Sequence, residues 1–192
     1  MLGPALLEQV LQTLGAVLRQ RGLSFEAVAI GGSSLMLLGF INRPTRDLDL
    51  AALVVRGEYV KADPLPADLA EAAVDVANAL GLPANWLNSG PTSIVETGFP
   101  EGFASRVEVR RYGGLTLDVA SRYDQIFLKL YAAADQWPGS KHADDLRRLE
   151  PTREELIAAA KWTMSQDPSE GFKQLLGNTL RELGLNDADS LL

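Results

Sequence analysis

Apolar residues recur along the chain first at the period of a helix and then at the period of a strand. Between residues 4 and 21 they fall every three or four positions, which predicts an amphipathic helix that ends at Gly22. The apolar run 27–30 predicts a buried strand, and two glycines follow it. Residues 33–38 then predict a short helix that starts at a serine.

The middle of the chain contains a second strand, a helix and a segment of irregular composition. Residues 47–55 alternate between polar and apolar side chains in their first half and are apolar in their second, which predicts a strand. Residues 67–80 have a helical pattern that Gly81 ends. The segment 83–102 is rich in glycine, proline, asparagine and serine, and it predicts one short strand at most, at 93–96.

A hairpin and then a series of helices are predicted for the rest of the chain. The stretches 106–110 and 115–119 alternate on either side of a turn that contains two glycines. The helices cover 123–135, 141–149, a segment that begins with a Thr152–Glu155 capping box, and 169–183. We therefore expect an α+β fold, with a small mixed β-sheet flanked by helices in residues 1–121. Residues 122–192 would form a helical lobe packed on that core, as one compact unit.

Composition narrows the chemistry that the chain can carry. Hydrophobic residues make up 46% and charged residues 22%, as in an ordinary globular protein. The absence of cysteine excludes disulfides, thiolate metal sites and a cysteine nucleophile, and a single histidine excludes zinc sites with several histidine ligands. A bound metal must therefore have oxygen ligands, which favours Mg²⁺ or Mn²⁺.

The N-terminal segment and the net charge bear on location and partners. No basic region precedes the first apolar residues, so we expect neither a signal peptide nor a membrane span, and the cytoplasm is the expected location. A net charge of −7 does not attract nucleic acid, so an RNA partner would need a local basic patch. Two arginine groups are candidates, although each also suits a solvated surface: Arg43 with Arg46, and Arg106 with Arg110 and Arg111.

A pair of aspartates two residues apart is the main chemical signal. Side chains alternate along a strand, so Asp47 and Asp49 would project from the same face. Two adjacent carboxylates repel each other, and a divalent cation between them relieves the repulsion. If the strand that carries Asp118 lies beside theirs, Asp118 becomes a third carboxylate, and three carboxylates can hold two metals for phosphoryl transfer.

The glycine pair after the first strand is a candidate phosphate site. A strand, then Gly31-Gly32-Ser33, then a helix would present free backbone N–H groups to an anion. Gly32 and Ser33 are the expected contacts for the β- and γ-phosphates, although a glycine pair after a strand is also common in simple turns. Arg43 and Arg46 would either neutralise triphosphate charge or cover the acidic strand.

The order of these features resembles that of a known enzyme superfamily. Ile30-Gly31-Gly32-Ser33-Ser34, followed by Arg43-Pro44-Thr45-Arg46-Asp47-Leu48-Asp49-Leu50, resembles the nucleotidyltransferases related to DNA polymerase β. The Arg-x-Thr-x-Asp-Leu-Asp form is most similar to the AbiEii-type branch, which includes toxins of bacterial toxin–antitoxin systems. The resemblance covers roughly residues 28–150 and implies a nucleotidyltransferase core.

A second segment resembles the later motifs of that branch. Lys129-Leu130-Tyr131-Ala132, with Lys141 and Asp145 downstream, matches motifs in which a helical lysine contacts the nucleotide phosphates and an aspartate is needed for activity. The resemblance implies these roles for Lys129 and Asp145 and adds Lys141 to the nucleotide-binding residues. Asp144 competes with Asp145, which is favoured because Leu146 follows it as in the family pattern.

The leading hypothesis is a metal-dependent enzyme that moves a nucleoside monophosphate from an NTP to an acceptor. By resemblance, the acceptor is an RNA such as tRNA, or a protein, and a toxin would also have an antitoxin protein as a partner. One alternative is a non-catalytic module of the same fold that binds a nucleotide or a protein. Another is a hydrolase that uses the same metal site on phosphate esters.

Overall fold

Helices and one mixed sheet of six strands make up the described part of the computed structural model, which covers residues 1–90, 92–136 and 140–188. The expected α+β class is therefore confirmed. The chain divides into two compact units, Met1–Ser121 and Arg122–Leu192, and the sheet lies in the first of them. No helix in these ranges combines the length and the apolar character that crossing a bilayer requires.

The first unit contains the sheet and the helices that cover it. Its strands are β1 (Phe25–Ile30), β2 (Leu48–Val55), β3 (Glu58–Lys61), β4 (Leu87–Ser89), β5 (Glu108–Tyr112) and β6 (Leu115–Val119). Its helices are α1 (Pro4–Gln20), α2 (Gly31–Leu37), α3 (Ala67–Leu80), α4 (Ile94–Thr97) and α5 (Phe103–Arg106).

The strand order places β1 and β2 in the middle of the sheet. Neighbouring strands run β3-β2-β1-β6-β5, and β4 pairs with β2 as well. β1 is antiparallel to β2 and parallel to β6, while β4 is parallel to β2. The pairing with β2 shifts register between Val28 and Ala29, which marks a bulge in the middle of the sheet.

Helix α1 confirms the amphipathic helix that the apolar period of residues 4–21 predicts. Its buried positions follow that period: Leu7, Val10, Leu11, Leu14 and Leu18. It packs against α3, β5 and β6. The approach to the hairpin is so close that a methyl group at Gly15 would lie 1.4 Å from the carbonyl oxygen of Tyr112. The helix ends where Gly22 adopts a left-handed φ of +71°.

The second unit is helical in its described residues. It contains α6 (Arg122–Gln136), α7 (Lys141–Arg148), α8 (Arg153–Gln166) and α9 (Glu170–Glu182). α6 packs against the other three helices, and an aromatic row joins it to two of them. Tyr123, Phe127 and Tyr131 lie four residues apart on α6, where Phe127 and Tyr131 contact Trp162 of α8 and Tyr131 also contacts Phe172 of α9. Only Phe127 and Phe172 of these side chains are buried, so the row lies at the edge of the hydrophobic core of the unit.

Three local predictions differ from the structure. The predicted strand at 93–96 is wrong, because that segment forms the short helix α4. α2 begins at Gly31 and not at a serine, and no side chain caps its first turn. The strands β3 and β4 were missed, because four and three residues are too few to show an alternating pattern. The capping box between Thr152 and Glu155 is confirmed in full.

Candidate functional site

The acidic pair lies at the start of β2. Asp49 is the second residue of the strand, and Asp47 lies just before its first residue. Both aspartates are partly exposed, whereas Leu48 and Leu50 are completely buried. This alternation places the two aspartates on the accessible side of the segment and the two leucines in the core, as the sequence predicted.

Two glycines lie close to the side chain of Asp49. Gly31 follows the last residue of β1, and a methyl group on it would lie 2.8 Å from Oδ2 of Asp49. Gly90 follows the last residue of β4, and a methyl group there would lie 2.9 Å from Cβ and 3.5 Å from Oδ1 of Asp49. A side chain at either position would displace the Asp49 carboxylate, so glycine at both positions leaves the space that this carboxylate occupies. Gly31 also has a φ of +82°, which glycine adopts most readily.

The hydroxyl group of Ser33 is hydrogen-bonded to the backbone of the acidic segment, residues 47–49. Ser33 is 1% exposed, and its Oγ donates a hydrogen bond to the backbone carbonyl of Asp47. The same Oγ lies 2.9 Å from Oγ1 of Thr45, which itself donates to the Asp47 carbonyl at 3.3 Å. Gly32 packs against this group, since a methyl on Gly32 would lie 2.8 Å from Cγ2 of Thr45. These contacts couple α2 to the acidic segment, and the predicted phosphate contacts of Gly32 and Ser33 stay a prediction.

β4 adds residues that the sequence patterns did not find. Asn88 pairs with Asp49 across the parallel β2–β4 ladder, and the N–H of Gly90 donates to the carbonyl of Leu50 at 3.0 Å. Both residues lie in the irregular segment 83–102, where no pattern indicated a strand beside the aspartates. Thr45 was visible only as part of the Arg-x-Thr-x-Asp motif, which did not indicate its bond to the Asp47 carbonyl.

Asp118 lies away from the acidic pair. β6 pairs with β1 and not with β2, so the condition for a third carboxylate on the neighbouring strand is not met. Asp118 pairs with Val28, two residues before the Ile30 that pairs with Asp49. Two strand spacings and two residues along the strand separate the Cα atoms of Asp118 and Asp49 by roughly 12 Å.

The surroundings of Asp118 also differ from those of a metal ligand in an acidic cluster. Burial raises the pKa of the Asp118 carboxyl above its usual range, the negative charge of Glu26 raises it further, and Arg111 opposes both. Among the residues described, no group of three or more acidic, histidine or cysteine side chains comes close enough to hold a metal ion.

A second group of predicted residues forms a buried ion pair in the second unit. Nζ of Lys129 on α6 lies 2.8 Å from Oδ2 of Asp145 on α7, and the two side chains are 4% and 0% exposed. Asp144 is exposed and pairs with Arg147 of its own helix at 3.0 Å. The geometry therefore distinguishes the two neighbouring aspartates, since Asp145 is the one joined to Lys129.

The remaining predicted residues are placed nearer the surface. Arg43 is half-buried and Arg46 is exposed, both in the connection between α2 and β2. Lys141 is exposed and is the first residue of α7.

We compared the chain with models of known protein families, with curated proteins and with solved structures, and none of the three comparisons finds a match.

The residues around Asp49 fit a cation that is bound together with a nucleotide better than they fit a preformed two-metal site. In nucleotide-handling enzymes Mg²⁺ is held by one or two carboxylates together with substrate phosphates, and Asp47 and Asp49 can supply those carboxylates. A preformed two-metal site with three carboxylates would need Asp118 beside them, and the strand order excludes that. The arrangement suits a cation that binds together with a nucleotide.

Proposed function

We propose that the chain is a nucleotidyltransferase that moves a nucleoside monophosphate from an NTP to an acceptor. The observation that carries the proposal is the Asp49 carboxylate, which lies in space left open by Gly31 and Gly90 and on the same accessible side of the segment as Asp47. Two carboxylates on the same side of a segment repel each other when they are close, and a divalent cation between them relieves that repulsion. The resemblance to the polymerase β-related superfamily supports the same conclusion.

The proposal gives the residues of the first unit distinct roles. Asp47 and Asp49 would bind Mg²⁺ or Mn²⁺, which supplies charge neutralisation for the triphosphate when it is bound. Gly32 and Ser33, at the start of α2, would lie along the β- and γ-phosphates. Ser33 has a further role, because its hydrogen bond to the carbonyl of Asp47 connects the acidic segment to α2.

The other predicted residues have roles that come from their charge or from the resemblance. Arg43 and Arg46 would neutralise triphosphate charge, and the resemblance implies Lys141 as a further nucleotide-binding residue. By the resemblance, Lys129 would contact the nucleotide phosphates and Asp145 would be needed for activity. Nζ of Lys129 lies 2.8 Å from Oδ2 of Asp145, so Asp145 would also position Lys129.

In the reaction, an acceptor oxygen forms a bond to the α-phosphorus of the NTP. The bond from that phosphorus to the bridging oxygen breaks, pyrophosphate leaves, and the proton of the acceptor group passes to water or to a carboxylate. The proposed acceptor is an RNA, such as tRNA, or a protein. Growth inhibition by this transfer would make the chain a toxin, and an antitoxin protein would then be a partner.

The test is transfer of radiolabel from each α-labelled NTP to total RNA or to protein, with Mg²⁺ present. We expect labelled acceptor with the native chain and none with Asp49→Asn. The matched control is Asp68→Asn, which makes the same chemical change at an exposed position of α3. Absence of labelled product from every NTP and acceptor, or full activity of Asp49→Asn, would contradict the proposal.

A second candidate function is a non-catalytic module that binds a nucleotide. The position of Asp118, roughly 12 Å from Asp49 by strand spacing, favours it, because the third carboxylate is missing from the pair. Calorimetric titration with each NTP and Mg²⁺, run beside the transfer assay, separates the two functions. Binding without transfer identifies the module, and binding with transfer identifies the enzyme.

A further inference from the structure

We infer that Asn88 is a third oxygen ligand for the divalent cation at Asp47 and Asp49. The inference rests on the proposed function, which places that cation between the two aspartates. It adds a residue from β4, a strand that the sequence patterns did not predict and that carries none of the motifs on which the resemblance rests. The amide would supply a neutral ligand at the side of Asp49 opposite to β1.

The register of three strands puts Asn88 next to Asp49. Ile30 of β1, Asp49 of β2 and Asn88 of β4 form one row across the sheet. Residues paired across neighbouring strands project from the same face, about 4.8 Å apart along the row. Among the described residues, Ile30 is thus an apolar neighbour of Asp49 on one side, and Asn88 is a polar neighbour on the other.

One of the two oxygens of the Asp49 carboxylate lies on the side of β4. Oδ2 lies toward Gly31 at the end of β1, while Oδ1 lies toward Gly90 at the end of β4. Asn88 precedes Gly90 by two residues on that strand. A cation bound to Oδ1 therefore lies within reach of the Asn88 side chain, because metal–oxygen distances for Mg²⁺ are about 2.1 Å.

The chemistry of the residue also favours a ligand role. Asparagine is uncommon inside strands, where β-branched and aromatic side chains pack better. Asn88 is half-buried, and its side chain makes no hydrogen bond with the described residues. Amide oxygens are ordinary ligands of hard divalent cations, and a neutral third ligand avoids the repulsion that a third carboxylate would add.

The test is a titration of the full chain with Mn²⁺ alone, in which electron paramagnetic resonance measures free Mn²⁺. We expect Asn88→Ala to raise the Kd for Mn²⁺ by about tenfold or more, because even groups that only orient the ligands of a metal change its affinity by about that much. Asn88→Asp should bind Mn²⁺ at least as tightly as the native chain, because it keeps an oxygen and adds a negative charge. Asn85→Ala, the same change at an exposed position three residues earlier, should leave the Kd unchanged.

The outcomes separate this inference from the proposed function. If the native chain binds Mn²⁺, Asp49→Asn abolishes binding and Asn88→Ala does not change it, Asn88 is not a ligand and the proposed function stands. Weaker binding by Asn88→Asp than by the native chain would also overturn the inference. If the native chain binds no Mn²⁺ in the absence of a nucleotide, the two aspartates and Asn88 do not form a three-ligand site and the inference is overturned. If the native chain and Asp49→Asn bind Mn²⁺ equally, the cation site of the proposed function is itself wrong. Melting temperatures of all variants show whether each is folded.

Discussion

Replacing Asp145 by asparagine removes one charge from the buried ion pair of the second unit while keeping the size of the side chain. The partner atom, Nζ of Lys129, lies 2.8 Å away, and neither side chain is more than 4% exposed. The pair joins α6 to α7, so its loss acts on the packing of two helices. The variant therefore measures how much a buried charge pair contributes to the stability of this unit.

The expected cost follows from the separation and the burial. At an effective dielectric constant of about 20, charges this close attract each other by about 6 kcal/mol. Burial of both groups offsets much of that attraction, but removing one partner alone leaves a buried ammonium and costs about 3–5 kcal/mol. We expect about 3 kcal/mol for Asp145→Asn, since the amide oxygen can still accept a hydrogen bond from Lys129.

The matched control is Asp144→Asn, which makes the same change one residue earlier. Asp144 is exposed and pairs with Arg147 at 3.0 Å on the surface of the same helix. An exposed pair of this kind contributes less than about 1 kcal/mol. The double variant Lys129→Met with Asp145→Leu removes both charges, and we expect it to recover most of the stability.

The assay is urea unfolding followed by far-UV circular dichroism, with the free energy of unfolding taken from the midpoint and slope. The reasoning is refuted if Asp145→Asn and Asp144→Asn have equal unfolding free energies, or if the double variant is as unstable as the single one. The result also bears on the resemblance, because a loss of transfer activity in Asp145→Asn counts as functional only under conditions where that variant is folded.

Three further predictions concern other parts of the chain. Gly90→Ala should lower the free energy of unfolding in urea by about 1–3 kcal/mol and weaken Mn²⁺ binding, because its methyl group would lie 2.9 Å from Cβ of Asp49. Unchanged values would show that Asp49 does not need the space that Gly90 leaves. Asp118→Asn should stabilise the chain near neutral pH and have little effect under acidic conditions. The raised pKa of Asp118 favours the protonated form in the folded state, so stability is lost as pH rises through that pKa, and an equal effect at both pH values would argue against it. Thr152→Ala should cost about 1 kcal/mol in thermal unfolding, because Oγ1 of Thr152 caps the N–H of Glu155 at 3.2 Å, and an unchanged melting temperature would show that the cap contributes nothing.

Local patterns in the sequence predicted the elements whose cause is local. The apolar period of α1 is confirmed by its buried leucines, and Gly81 ends α3 in a left-handed conformation. The capping box of Thr152 and Glu155 depends on residues three apart, and both of its hydrogen bonds are present. In each case the interacting groups lie within a few residues of one another, so the sequence alone contains the information.

The start of α2 shows where a local rule fails. A serine after two glycines predicted an N-cap, but the helix begins at Gly31, and Ser33 lies inside it. The hydroxyl of Ser33 bonds instead to the Asp47 carbonyl, fourteen residues away. A buried hydroxyl takes the partner that tertiary packing offers, and the sequence does not show which partner will be near.

The sequence by itself determined that Asp47 and Asp49 lie on the accessible side of a segment whose leucines are buried, because alternation is a property of an extended chain. Only the tertiary structure decided their neighbours. It brought Gly31, Gly90 and Asn88 around Asp49 and left Asp118 beyond β1. The order of strands in a sheet depends on pairing between distant segments and on the helices that cover them, and no periodicity within a single strand records it.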